Sequence, residues 1–438
     1  MPQKDKAHLV RAIGRWSLTA LMVNLIVGSG IYGLPSIVIR MVGAASLWAY
    51  GFAALATAII MACFAEVASR FSASGGIYLY TRTAFGPVTG VVMAWFGCLV
   101  RLTAAASNAN LFVIYLAEFW PGAKGAIPRF LILTVVIGTL AVVNYMGVHS
   151  GVRVSTFFTV AKLAPLVLFV IGGIVFVAWR HVPVVISTPS ASVGPWLQSI
   201  MLLMFAFGGF EAGLMPAGES KDPQRDSAFA LFAALATSAV LYILIQLVVG
   251  AVLANSPVSD RPLAAAAHFF LGGSGTVLVT LSILVSMYGV LSANILTVPR
   301  LMFAMAERGD FPSLLGKVHA RFHTPHVAIC VFALLLWMFS LRASFEWNLT
   351  LSAVARLVYY GSVCVALPVL RRKGPPAALR LPLGNLFAAL GVALSLVLMT
   401  RVDRSRVWVL AVVTGLALVN GIWARRRTRV AGLVHSAE

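Results

Sequence analysis

Apolar residues in this chain come in long stretches, with polar residues confined mostly to the connections between them. Twelve stretches follow one another at approximately 17–40, 46–69, 86–119, 127–146, 154–178, 195–217, 226–254, 275–306, 326–342, 347–370, 382–400 and 407–424. A helix needs about 20 apolar residues to cross the hydrocarbon core of a bilayer. The pattern therefore predicts an all-α integral membrane protein of 12 transmembrane helices. The stretches at 86–119 and 275–306 exceed the bilayer, so those helices are expected to tilt or project.

Composition agrees. Of 438 residues, 60% are apolar and 11% charged, where a soluble domain has about 45–50% and about 25%. A soluble globule of this size could not cover so much apolar surface with a polar shell. The net charge of +20 does not indicate nucleic acid, because the charges lie between apolar stretches and form no basic face. With the N-terminus placed in the cytoplasm, twenty Lys/Arg fall on the cytoplasmic side, nine on the outer side and four within stretches or at their ends. That bias places both termini in the cytoplasm of a bacterial-type inner or plasma membrane. The basic residues Arg425–Arg429 suit anionic lipid. Cys63, Cys98, Cys330 and Cys364 sit inside apolar stretches at spacings unlike a metal site, and read as small buried hydrophobes.

The first stretch contains Gly28-Ser29-Gly30, followed closely by Gly33 and Pro35. The sixth contains Phe205-Ala206-Phe207-Gly208-Gly209-Phe210-Glu211. Either cluster alone fits an unwound segment or close helix packing through small residues. Their positions favour unwinding: one interrupts the first span and the other the sixth, dividing the chain into two five-span halves with corresponding breaks. Such paired interruptions point to a transporter's binding site between inverted repeats. Unwinding frees N–H groups at the start of each second half-helix, which favour an anion, and carbonyls at the end of each first half-helix, which favour a cation. An α-amino-acid head group suits both.

At this point four phrases carry a resemblance. They are Gly28-Ser29-Gly30-Ile31-Tyr32; Ser74-Gly75-Gly76-Ile77-Tyr78-Leu79-Tyr80 with Phe85-Gly86; the span-six cluster with Gly218-Glu219, Lys221-Asp222-Pro223 and Arg225; and Pro299-Arg300, Phe303-Ala304-Met305-Ala306 with Gly309-Asp310-Phe311-Pro312. Together they resemble the amino acid–polyamine–organocation (APC) superfamily of transporters from the N-terminus to about residue 312. The resemblance implies a five-plus-five inverted repeat of the LeuT type, with helices 1 and 6 unwound mid-membrane and two additional helices. The expected organisation is a cytoplasmic arm at 1–16, a transport core at 17–370 with repeats at about 17–178 and 195–370, added spans at 382–424, and a basic tail at 425–438. The resemblance also implies that the substrate carboxylate meets Ser29 and the N–H groups of Gly28, Gly30 and Ile31. The amine would meet carbonyls of Ile26, Phe205 and Gly208, beside Gly209, with Phe205 as a gate.

Ionisable groups inside spans are costly and mark function by default. Lys162 either snorkels to the interface or, by the resemblance, stands where sodium-coupled relatives hold sodium, pinning the first half-helix. The second reading implies proton coupling or exchange without sodium. Glu211, just past the sixth-span break, either links protonation to transport or ties the unwound backbone. Arg101 pairs with Glu211 or with an acid group of the substrate. Glu66 and Arg70, one helical turn apart, suggest an interfacial ion pair. Tyr288 and Asn294 line the side-chain pocket or serve helix packing. Arg356, early in the tenth span, has no partner nameable from sequence.

The leading reading is thus a secondary amino-acid permease, with a polyamine or small-amine transporter of the same fold as the alternative. A channel or receptor would require a continuous polar pore face or a large extramembrane domain. An enzyme would require a clustered His/Asp/Glu set, yet the eight histidines are all expected in loops or tails. No ATP-binding loop is present. No cofactor, metal or nucleic acid is expected; amino acid, protons and membrane lipid are the expected partners, for a monomer or homodimer.

Overall fold

The computed structural model describes residues 14–71, 76–147, 152–185, 192–214, 220, 222–254, 256 and 259–435, with side chains for all of these except 152–161, 223 and 426–435. The basic arm residues Lys4, Lys6 and Arg11 lie outside the described residues, as do Ser74, Gly75, Gly218, Glu219 and Lys221 of the quoted phrases.

The first apolar stretch forms two helices, α1 (Arg15–Ile26) and α2 (Ser29–Val42), parted at Val27-Gly28. There follow α3 (Ser46–Ala68), a short α4 (Gly76–Phe85), α5 (Pro87–Leu116), α6 (Ala126–Tyr145) and α7 (Val152–Trp179). The sixth stretch is again divided, into α8 (Val193–Ala206) and a single turn, α9 (Phe210–Gly213). Then come α10 (Pro223–Val252), α11 (Pro262–Glu307), α12 (His326–Arg342), α13 (Phe345–Lys373), α14 (Gly384–Met399) and α15 (Arg404–His435). Among the described residues, nine helical stretches are long and apolar enough to cross a membrane, and α12 and α14 are shorter apolar helices.

Two boundaries differ from the sequence expectation. Helix α11 begins at Pro262 rather than near 275, because Pro262 suits a first helical turn and Gly272 (φ +63°) absorbs a kink that lets the helix continue. Helix α15 continues to His435, past the expected span end at 424; its Arg-rich continuation is compatible with helix and contains no proline.

Lipid-type exposure is extensive. Ile127 is 74% exposed and Trp179 75% exposed, although both are large and apolar. Trp48, Trp120, Trp179, Trp347 and Trp408 lie at or near helix ends on the face opposite the start of α1, as expected of residues with an apolar ring and a polar N–H at a membrane interface. Inside, two apolar cores form. One joins α1, α2, α3, α8, α10 and α13, and the other joins α5, α6, α11 and α12.

Polar contacts fasten both faces. Beside the end of α3, Glu66 is fully buried and accepts from Arg70 at 2.9 Å and from Arg371 at 2.8 and 2.5 Å, and the Leu381 N–H donates to it at 3.0 Å. The expected Glu66–Arg70 pair therefore forms, but as a buried junction of α3, α13 and the connection to α14. Asp310 accepts from Arg82 at 2.7 Å and from the Tyr78 hydroxyl, fastening α4 to the end of α11. On the opposite face, Arg40 meets Glu346, Lys124 meets Asp260 and Arg261 meets Glu118, each at 2.8 Å.

Candidate functional site

The last turn of any helix leaves carbonyls without intrahelical partners, and the first turn leaves N–H groups likewise. At the end of α1 these carbonyls are met from three directions. The Lys162 ammonium, carried on α7 and 4% exposed, donates to Asn24 O at 2.9 Å and Val27 O at 2.7 Å. The Tyr242 hydroxyl on α10 donates to Ile26 O at 3.1 Å and also reaches Ala206 O, at 3.2 Å, at the end of α8. The Leu25 carbonyl abuts Gly209, whose φ of +112° and lack of a side chain permit the approach.

The second break is held by charge. Glu211 accepts the Gly209 N–H at 2.8 Å and the Tyr360 hydroxyl at 2.7 Å, both on Oε2, and its Oε1 lies 3.6 Å from Arg356 Nε. Arg356 Nη1 donates to Phe205 O at 2.9 Å, and its guanidinium lies 5.2 Å from the Phe205 ring centroid. A cation facing an aromatic ring at this range is attractive. Arg356 thus acquires the partners that sequence could not supply. They come from α8 and α9, far away in the chain and adjacent in space.

Between the two breaks, where the two apolar cores meet, lies a cavity of about 580 Å³, within the size range of small-molecule sites. Its wall includes Ile26, Gly28, Ser29, Gly30, Phe205, Gly208, Gly209, Asn294, Lys162, Glu211 and Arg101, all singled out from sequence, together with Arg356. Two expected residues are not in the wall. Ile31 is buried in the first core, and Tyr288 packs toward the second. Along α11, Ser286, Gly289, Ala293 and Thr297 face the cavity. Tyr288 lies one residue, about 100°, off that line.

Several polar atoms in the wall lack partners among the described residues. Ser29 Oγ is buried at the start of α2, and Asn24 Oδ1 and Asn108 Oδ1 are also unpartnered. Buried polar groups are ordinarily hydrogen-bonded, so these atoms suit a polar ligand. By contrast, two carbonyls expected for a substrate amine already accept donors: Ile26 O from Tyr242, and Phe205 O from Arg356 and from the Gly208 N–H at 3.1 Å. Sequence reasoning did not find Tyr242, Asn24, Asn108 or Tyr360. Only Tyr360 had a local signal, standing four residues after Arg356 on the same helix face.

No group of three or more His, Cys, Asp or Glu residues that could hold a metal occurs among the described residues. Comparison with known proteins identifies the cavity's context. The amino acid permease family model matches residues 13–420. The chain is 25% identical over 397 residues to a serine/threonine exchanger of Bacillus subtilis, covering 88% of this chain and 89% of that protein. It is 27% identical over 413 residues to a branched-chain amino acid permease of Bacillus subtilis, covering 85% and 84%. It is 27% identical over 403 residues to cationic amino acid transporter 4 of Mus musculus, covering 85% and 62%. With the match spanning both broken helices and nearly every other span, the chain belongs to the amino acid permease family of the APC superfamily, as an integral membrane amino-acid transporter and not an enzyme.

Proposed function

We propose that the protein moves amino acids by alternating access of twelve spans, arranged as two inverted five-span repeats at about 17–178 and 195–370 with two added spans at 382–424. Both termini are cytoplasmic. The substrate carboxylate sits at the start of α2 against Ser29 and the neighbouring N–H groups, and Phe205 covers the bound molecule. The cavity reaches from Gly28 toward Leu21 in α1 and Leu301 near the end of α11, while Tyr32 and Leu34 are buried beyond it in α2. In this orientation it opens to the cytoplasm.

The observation that carries the reading is the Lys162 ammonium on Asn24 O and Val27 O. It supplies a cation at the α1 break without a free ion, which supports sodium-independent transport by proton coupling or exchange. If Lys162 loses its proton, one positive charge leaves that pair of contacts, so protonation and closure of α1 are linked. Glu211, fully engaged by Gly209, Tyr360 and Arg356, suits the scaffold role better than that of a mobile proton carrier. Three wall cations against one carboxylate disfavour a polyamine.

Counterflow of labelled amino acids into proteoliposomes tests this, with sodium exchanged for potassium or choline. Transport should be indifferent to the replacement, and Lys162→Ala should lower it or abolish its pH dependence. Strict sodium dependence in wild type would remove the built-in cation from the mechanism.

A further inference from the structure

Four ionisable side chains line the cavity: Arg101, Lys162, Arg356 and Glu211. Three positive groups against one negative leave a formal charge of +2 on the wall. Lys162 is held by two carbonyls, and Arg356 faces Glu211. Arg101 makes no hydrogen bond or ion pair among the described residues. On α5, Arg101, Ala104 and Asn108 line the cavity at i, i+3 and i+7, one face of the helix. The small Ala104 leaves room beside the guanidinium.

An α-amino-acid head group is zwitterionic and leaves the sum of charges unchanged. Its carboxylate is directed to the start of α2 and cannot also serve Arg101. Alternating access requires a state in which the cavity is closed to bulk water on both sides. A guanidinium left there alone would be desolvated and unpaired, the costly way to bury a charge. Glu211 meets it only at a distance, since both its oxygens already face donors or Arg356 and it makes no ion pair with Arg101 among the described residues.

We propose that the counter-charge arrives with the cargo: the preferred substrate is an acidic amino acid, whose side-chain carboxylate is received by the Arg101 guanidinium. The fork of guanidinium N–H groups matches a carboxylate with two parallel hydrogen bonds. The assignment rests on the reading of the paired breaks as the head-group site. Arg101 is then a specificity-determining residue that acts on the side chain and leaves recognition of the head group to Ser29 and the backbone of α2.

Glutamate and glutamine, or aspartate and asparagine, differ little in shape and by one charge, so their comparison isolates Arg101. Binding to the purified protein is measured by thermal shift and by competition against labelled amino-acid counterflow. The acid is expected to bind at least about tenfold more tightly than its amide in wild type. Arg101→Gln should abolish that preference, and Arg101→Lys should retain part of it. Equal binding of acid and amide in wild type overturns the proposal and leaves the amino-acid reading intact. So does an acid preference that survives in Arg101→Gln. If none of the common amino acids binds, the head-group reading falls, and the proposal with it. The wild-type comparison decides even if the variants fold poorly.

Discussion

Gly28, Gly30 and Gly209 lie in or beside the two breaks for different reasons. A Cβ at Gly28 meets only its own Ile26 carbonyl, at 3.9 Å, so the missing side chain there keeps the cavity open. A Cβ at Gly30 would lie 2.7 Å from Ala206 Cα and 2.8 Å from Ala206 Cβ. Close approach of α2 and α8, rather than a positive φ, therefore excludes a side chain at Gly30. Only Gly209 requires the left-handed backbone. Gly30→Val should push the two half-helices apart at an overpacking cost of about 1–3 kcal/mol. Membrane insertion should persist while substrate-induced thermal stabilisation disappears; normal uptake would show that the close contact is dispensable.

At the scale of elements, α1 and α8 end against the same hydroxyl. Tyr242 has one proton and two carbonyls within reach, Ile26 O at 3.1 Å and Ala206 O at 3.2 Å, so it serves one fully at a time. Tyr242→Phe keeps the ring near Phe207, at 5.2 Å between centroids, and removes only the donor. Leaving a buried carbonyl unmet costs about 1–3 kcal/mol, expected as a lower melting temperature with a weaker substrate-dependent rise. An unchanged rise would limit Tyr242 to packing. The breaks themselves were legible in sequence, because Gly28-Ser29-Gly30 and Gly208-Gly209 interrupt otherwise continuous apolar stretches. Their fastenings were not. The side chains that meet Ile26 O, Phe205 O and Glu211 come from α10 and α13, and hydropathy carries no information about which helix faces which. Which of Tyr288's two readings, pocket lining or helix packing, applies was not legible for a related reason: a side chain's face depends on a helix rotation that one residue changes by about 100°. Hydropathy does not mark the start of α11 at Pro262, because Gly272-Gly273-Ser274-Gly275 interrupts the apolar stretch within the helix.

For the whole molecule, three ion pairs fasten the face opposite the start of α1. They are Arg40–Glu346, Lys124–Asp260 and Arg261–Glu118, on the closed side in the proposed orientation. They join α2 to α13 and the connections around α5 to the start of α11. Opening that face should break them. Lys124, hydrogen-bonded to Asp260, holds its carboxyl below the usual aspartate range. That contribution is therefore present at neutral pH and is lost as pH falls from about 4 through the depressed value. The Arg40–Glu346 pair is about half exposed on both sides, so it contributes at most about 1 kcal/mol, or about fivefold in the opening equilibrium. Labelling of Ser286→Cys from the outer side by an impermeant maleimide, with the native cysteines replaced, measures that equilibrium. Arg40→Ala or high salt should increase labelling by up to that factor. No change under either condition would mean that apolar packing alone keeps this face closed.

The contact of Lys162 with the end of α1 also has a thermodynamic consequence. A dissolved ion that occupies a transport site can enter from one compartment and leave into the other, carrying its gradient's free energy into the cycle. An ammonium attached to α7 by its own carbon chain returns with the protein on every turnover. Its local concentration is set by tether length, not by either bath, and no imbalance of that cation can drive net movement through this position. What Lys162 can exchange with the two compartments is only its proton.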